Sequence, residues 1–346
     1  MATIKNTGRR VVKSGNRPKV AVPLSKATRQ RVEALFSVED LRIATEMLVE
    51  ECGHNLWSGS VRPSDFDRIR FAALKLSFGR LDLLREAVDL GKSDRGDLLL
   101  AAGFGGETAH KRWRPMTEKQ WLASVDPETM LALFPAWQWR GKLLLFGVAC
   151  CRSIWHLLSD KRSRKAVEVA ELIADGKSSE KRRQRAESAA LDAQRDAVAA
   201  RRASGYRIPE YLTYASKAAY FVISGMELRD GFVAADAILA ACSLIAGNRA
   251  AHVGSRASRR KKYSDFLRDI FGNPFRPSAI DSRWLTTTTR NLAASIYDDG
   301  AFDRLPVLAD ALEEAGCTDA DILAHCRGPG PHVRGCWVVD LVLGKE

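Results

Sequence analysis

The chain has 346 residues, of which 46% are hydrophobic and 28% charged, an ordinary balance for a globular protein. Its longest apolar run, the nine residues Leu143–Cys151, falls far short of the roughly 20 that span a bilayer. The formal charge of +12 is uneven: residues 1–31 carry nine basic residues and no acidic one, which leaves +3 on everything that follows. The opening MATIKNTGRRVVKSGNRPK has no apolar stretch of the kind a secretory signal needs. The cysteine count, seven, is odd, and Cys150 and Cys151 are neighbours in an apolar run. Neighbours do not share a helix face, so buried, reduced thiols and a cytoplasmic location are expected.

Taken in chain order, residues 1–31 lack an apolar period and contain Gly8, Gly15, Pro18 and Pro23. Such a stretch cannot bury enough surface to offset its ordering entropy, and it reads as a disordered basic tail. From Ser37 the pattern turns helical, with Ser37 as N-cap and Asp40 in the capping-box position. PSDFDRIRFAALKLSFG places Phe66, Ile69, Ala73 and Leu76 on one face, with Gly79 as its end. RLDLLREAVDLGK and SDRGDLLLAAGF read as two more helices, each closed by glycine. Residues 32–115 are thus expected to form a small helical module.

A larger helical domain is expected over 116–346. Thr117 and Asp126 cap two short helices, the second with Pro127 at its first position. WRGKLLLFGVACCRSIWHLL is apolar around most of its circumference, the mark of a central helix. DKRSRKAVEVAELIADG is amphipathic, while the following Ala-rich, charge-rich helix has only a thin apolar stripe, suited to exposure or to close packing through alanine. Two apolar helices follow over 208–224 and 227–250, then GNRAAHVGSRASRRKK as a loop or weak helix. YSDFLRDIFGNPFRP is a helix stopped by Gly272 and the Asn273–Pro274 turn. Asp303 leads into a helix containing Pro306, and Thr318 with Asp321 forms another capping box before the last helices. Period-2 runs are almost lacking. The expected fold is all-α, an irregular multi-helix bundle without a repeat of fixed period.

Residues 64–113, through RIRFAALKLSFG, DRGDLLLAAGF and AHKRW, resemble a small bacterial domain of unknown function. Residues 116–346 resemble a separate uncharacterised family expanded in large bacterial genomes such as those of planctomycetes. The segments that carry this are MTEKQWLASVDPETML, LLLFGVACCRSIWHLLSDKRSRKAVEVAE, LRDIFGNPFRP, SIYDDGAFDRLPVLADALEEAGC and DILAHCRGPGPHVRGCWVVDLVLGK. The resemblance implies no established activity. It implies a start near Met116 and a low-complexity middle rich in Ala, Trp and Arg, from which residues 178–262 depart.

The densest chemistry lies in HCRGPGPHVRGCW, where Cys326, His332 and Cys336 are candidate metal ligands. Their spacing is not a standard zinc spacing. His325, next to Cys326, points about 100° away from it on a helix, and a fourth ligand would have to come from Cys317 or farther off. The competing reading is a stiff reversal built on Gly328–Pro331, with Cys326, Cys336 and Trp337 packing inside a C-terminal corner. A nucleophilic Cys336 beside His332 and Asp340, its pKa lowered at a helix N-terminus, is a further alternative. CCRSIWH lacks redox or zinc spacing, and AAGFGGETAH lacks the Gly-Lys-Ser/Thr ending of a phosphate loop.

Basic candidates for a nucleic-acid backbone are Arg9, Arg10, Lys13, Arg17 and Lys19 in the tail and Arg259, Arg260, Lys261 and Lys262 farther on. AHKRW is either a basic linker or a backbone contact. Caps and core stripes account for most of the chain. The sequence therefore reads as a non-catalytic helical module that acts through an unknown protein partner, with no assigned catalytic residue and no cofactor. Nucleic-acid association and a Cys/His or metal enzyme are the alternatives, and no membrane is involved.

Overall fold

A computed structural model describes residues 21–53, 63–106, 108–134, 139–224 and 255–345. Among them there are helices and no strands. The helix expected over 227–250 and the tail candidates Arg9, Arg10, Lys13, Arg17 and Lys19 lie outside the described residues.

The first core is built by helices α1 (Lys26–Leu35), α2 (Leu41–Glu50), α3 (Pro63–Ser77), α4 (Leu81–Ser93), α5 (Arg95–Ala101) and the short α6 (Ala109–Arg112). Val32, Leu48, Ile69, Leu74, Leu84, Val88 and Leu98 bury their side chains in it. The tail reading fails at its inner end, because α1 begins at Lys26 rather than after residue 31. Ser25 caps it, its Oγ accepting from the Thr28 amide and donating to Asp67 Oδ1. Arg31 is buried despite its charge, its guanidinium lying 4.0 Å from the centre of the Phe71 ring. A long basic side chain thus contributes apolar stem and planar head to a core, which a charge count does not register. Two other details depart from expectation. Ser37 and Asp40 do bond to each other, but in a turn ahead of α2, and α4 runs through the buried Gly91 to Ser93.

Helices α7 (Glu118–Ala123), α8 (Pro127–Leu131), α9 (Arg140–Ser153), α10 (Lys161–Ala174), α11 (Glu180–Ala203), α12 (Glu210–Ser224) and α13 (Arg256–Phe271) form the second core. Thr117 makes a full capping box with Gln120, and Asp126 caps α8 with Pro127 in its first turn. Every residue of Leu143–Cys151 is buried, so α9 is the central helix its composition calls for. It is packed by α10, α12 and α13. The thin stripe of α11 packs through Ala186, Ala190 and Ala193, the close-approach option. RASRRKK is not a loop; it forms the first turns of α13, capped by Ser255.

The expected single unit over 116–346 contains a separate third core of α14 (Thr287–Asp299), α15 (Leu305–Glu314), α16 (Ala320–Arg327) and α17 (Trp337–Leu343). Asp319, not Thr318, caps α16. This core packs against the second through the loop 328–336. Gly335 has φ +94°, and a Cβ there would lie 2.8 Å from a methyl group of Leu145, so only glycine lets the loop press against α9. Asp175, at the end of α10, accepts from Tyr297 Oη, from Arg334 Nη2 at 2.7 Å and from Lys345 Nζ at 3.0 Å. No helix among the described residues is long and apolar enough to cross a membrane.

Candidate metal centre

The end of α13 faces the C-terminal corner. Asp269, one residue before Ile270 on the buried side of α13, is 2% exposed. His325 comes from the last turn of α16, His332 from the loop, and Cys336 from the N-cap of α17. Each offers one ligand atom, and the four atoms lie within 4.8 Å of one another. His332 Nδ1 is 2.7 Å and His325 Nε2 3.1 Å from Asp269 Oδ1, and His325 Nε2 is 3.2 Å from Cys336 Sγ.

The outward contacts fix which atoms point inward. Asp269 Oδ2 accepts the Val333 amide at 2.8 Å, which leaves Oδ1 for the cluster. His332 Nε2 lies 3.3 Å from the Gly328 carbonyl. A carbonyl only accepts, so Nε2 carries a proton and Nδ1 faces the cluster. Carbonyl partners of this kind orient metal-binding imidazoles. The Trp337 ring lies beside the site, tilted against His325 with the centroids 5.1 Å apart. Gly272, with φ +64°, lies against Trp337, and a Cβ there would come within 3.2 Å of it.

The electrostatics couple the members of the cluster. Burial alone would push the Asp269 carboxyl up, but the bonds and charges of His325 and His332 outweigh it and hold the pKa below the usual range. For His332, burial opposes the charge, and the bond to Asp269 and its charge prevail, so the pKa is raised. Burial drives the Cys336 thiol well above its ordinary value, with the Asp269 charge adding to the effect, although the Val338 and Val339 amides favour the thiolate. The expectation of a lowered Cys336 pKa is therefore overturned: desolvation exceeds the help from the helix terminus. A fully buried, protonated thiol is a poor nucleophile.

The corner rearranges the candidates read from sequence. His332 and Cys336 come together, but Cys326 does not join them. It is buried in the third core, its thiol pushed up to about 12 by burial, and Cys317 is in the same core. The places go instead to His325 and Asp269. Among the basic candidates, Arg259 is buried, and Arg260 pairs with Asp126 and Glu128. Lys261 pairs with Asp265, and Lys262 lies 5.6 Å over the Phe266 ring. Consecutive helix positions spread these four around α13 rather than along one face. Cys150 and Cys151 are buried in the second core, and the six described cysteines form no disulfide.

Compared with protein-family models, with curated proteins and with solved structures, the chain has no match. No role comes to it from a relative, and the chemistry of this cluster has to be read from its own atoms.

Proposed function

We propose that the protein is a zinc-binding, non-catalytic helical module, in which one zinc ion held by Asp269, His325, His332 and Cys336 clamps the C-terminal corner onto the bundle. The observation that carries this reading is the convergence of four ligand atoms from four elements, with Asp269 Oδ2 and His332 Nε2 bonded outward. A set of one thiolate, two imidazoles and one carboxylate suits tetrahedral zinc. With both imidazoles neutral, a divalent ion leaves the buried site uncharged. Tetrahedral edges around zinc are about 3.3–3.7 Å, from bonds of about 2.0–2.3 Å. The pairs at 2.7–3.2 Å therefore open by up to about half an ångström on binding, and the widest separation, within 4.8 Å, closes by about 1 Å. Four protein ligands fill the coordination shell, and a filled shell is the arrangement of structural rather than hydrolytic zinc. Asp269 belongs to the second core's helix and the other three to the third core's corner, so the ion would act as a staple between them. The whole chain then acts through its surface, as a module for partner contacts.

The test is metal content by native mass spectrometry of untagged protein grown with zinc. One zinc per chain is expected, retained through dialysis and lost in Asp269→Asn and in Cys336→Ser. Metal-free protein that takes up no zinc in titration would end this reading.

A further inference from the structure

A second cavity, in the first core, draws on none of the residues of the metal cluster. The described cavity of about 550 Å³ between α1, α3, α6 and the linker after it is lined by Arg31, Asp67, Phe71, His110, Lys111 and Arg114, among others. Three of these are cations, and none of the three makes an ion pair among the described residues. Arg31 Nη2 and Arg114 Nη1 both donate to one acceptor, the Trp113 carbonyl, at 2.8 and 3.0 Å. Two guanidinium groups therefore meet at a single neutral oxygen. Arg31 is 8% exposed, and its Nε is buried without a partner. Burial first, then the charge of Arg114, lowers its pKa, with Asp67 acting in the opposite sense. His110 is 4% exposed and its Nδ1 is likewise unpartnered. The one acid in the lining, Asp67, already accepts the Ser25 and Thr28 hydroxyls on Oδ1.

Three cations against one carboxylate leave the concavity net positive, and the buried Arg31 Nε and His110 Nδ1 lack partners, a setting that favours an anion. Guanidinium forks match the oxygens of a phosphate in geometry as well as charge, and a cavity of this size suits a small molecule. We propose that this cavity binds a phosphate or diphosphate group of a small-molecule ligand, clasped by Arg31 and Arg114 with Lys111 at its rim. The site shares no residue with the metal cluster and does not depend on the reading given to it.

The probe is pyrophosphate, titrated calorimetrically into the full chain at low salt, with a single-stranded oligonucleotide as a second arm. Arg114 and Lys111 are exposed, so Arg114→Gln and Lys111→Gln leave the fold intact, which a thermal melt checks. One pyrophosphate per chain is expected, weakened about tenfold or more in Arg114→Gln, the loss of one charge-assisted contact, and several-fold in Lys111→Gln. Arg42→Gln, on an exposed face elsewhere, leaves it unchanged. An oligonucleotide that binds more tightly than pyrophosphate, with the same loss in Arg114→Gln, would place the phosphate in a nucleic-acid backbone and overturn the small-molecule assignment. No binding of either probe, or equal pyrophosphate affinity in Arg114→Gln, would overturn the site itself.

Discussion

The first core and the C-terminal corner bury charge in opposite ways. In the first core the buried groups are cations held by main-chain carbonyls. Arg70, 1% exposed, donates to the carbonyls of Val22, Pro23 and Leu48 and Arg31 to those of Ala27 and Trp113, while the half-buried Lys75 donates to that of Ala102. In the corner the buried groups are acids: Asp269 among two histidines and an amide, and Asp175 among Arg334, Lys345 and Tyr297. A carbonyl satisfies a cation's donors without cancelling its charge, whereas a cation does both for a carboxylate. The first core is therefore left with positive charge that its carbonyls do not cancel, on which the proposed anion site draws, whereas in the corner the proposed zinc would replace the protons that Asp269 and its histidines share.

The largest effect that would sharpen this contrast is at Asp175. Burial opposes its ionisation, but the bonds from Tyr297, Lys345 and Arg334 prevail and lower its pKa. Asp175→Ala leaves two cations converging on an apolar gap. Because both remain partly exposed, a loss of roughly 3 kcal/mol is expected, the low end for a broken buried pair. Urea unfolding checks it, and a loss under about 1 kcal/mol would mean that the corner does not rely on its acids.

Asp340 departs from the rule within its own region. It is 3% exposed and its Oδ1 has no partner, and burial pushes its pKa up to about 6 against the pull of Lys142 and Lys345. A raised acid favours the fold in its neutral form. Its contribution is full below the unfolded value of about 4 and is lost as pH rises to about 6. Asp340→Asn should then gain about 2 kcal/mol of stability at pH 8 and nothing at pH 4. Unfolding midpoints across that range read it, and a gain independent of pH would contradict the assignment.

An effect of similar size tests the first core. Arg70→Met keeps the volume but strips three carbonyls of their donor, for a loss of about 2 kcal/mol. Equal or higher stability would show that burying the charge costs more than its bonds return.

Much of this architecture is written locally. The caps at Thr117 and Asp126, the all-round apolarity of Leu143–Cys151 and the terminating Gly272 were each legible because helix ends and faces depend on residues a few positions apart. The metal cluster was legible only by half. His332 and Cys336 stood close together in a cysteine- and histidine-rich segment, but Asp269 lies more than fifty residues before them, and no spacing rule reaches that far. Its one local signal is an acid set between Leu267 and Ile270 on the apolar side of a helix. Adjacent helical residues diverge, so His325 and Cys326 do not both reach the site, and chain position alone does not say which of the two faces the core. The start of α1 was hidden by its charge, since Arg31 packs through its stem and plane.

The most direct measurement is X-ray absorption at the zinc edge on the purified full-length chain. A single shell of one sulfur at about 2.3 Å and three nitrogen or oxygen ligands at about 2.0–2.1 Å is expected, with the sulfur lost in Cys336→Ser. A six-coordinate oxygen shell, or a spectrum that Cys336→Ser leaves unchanged, would contradict the account.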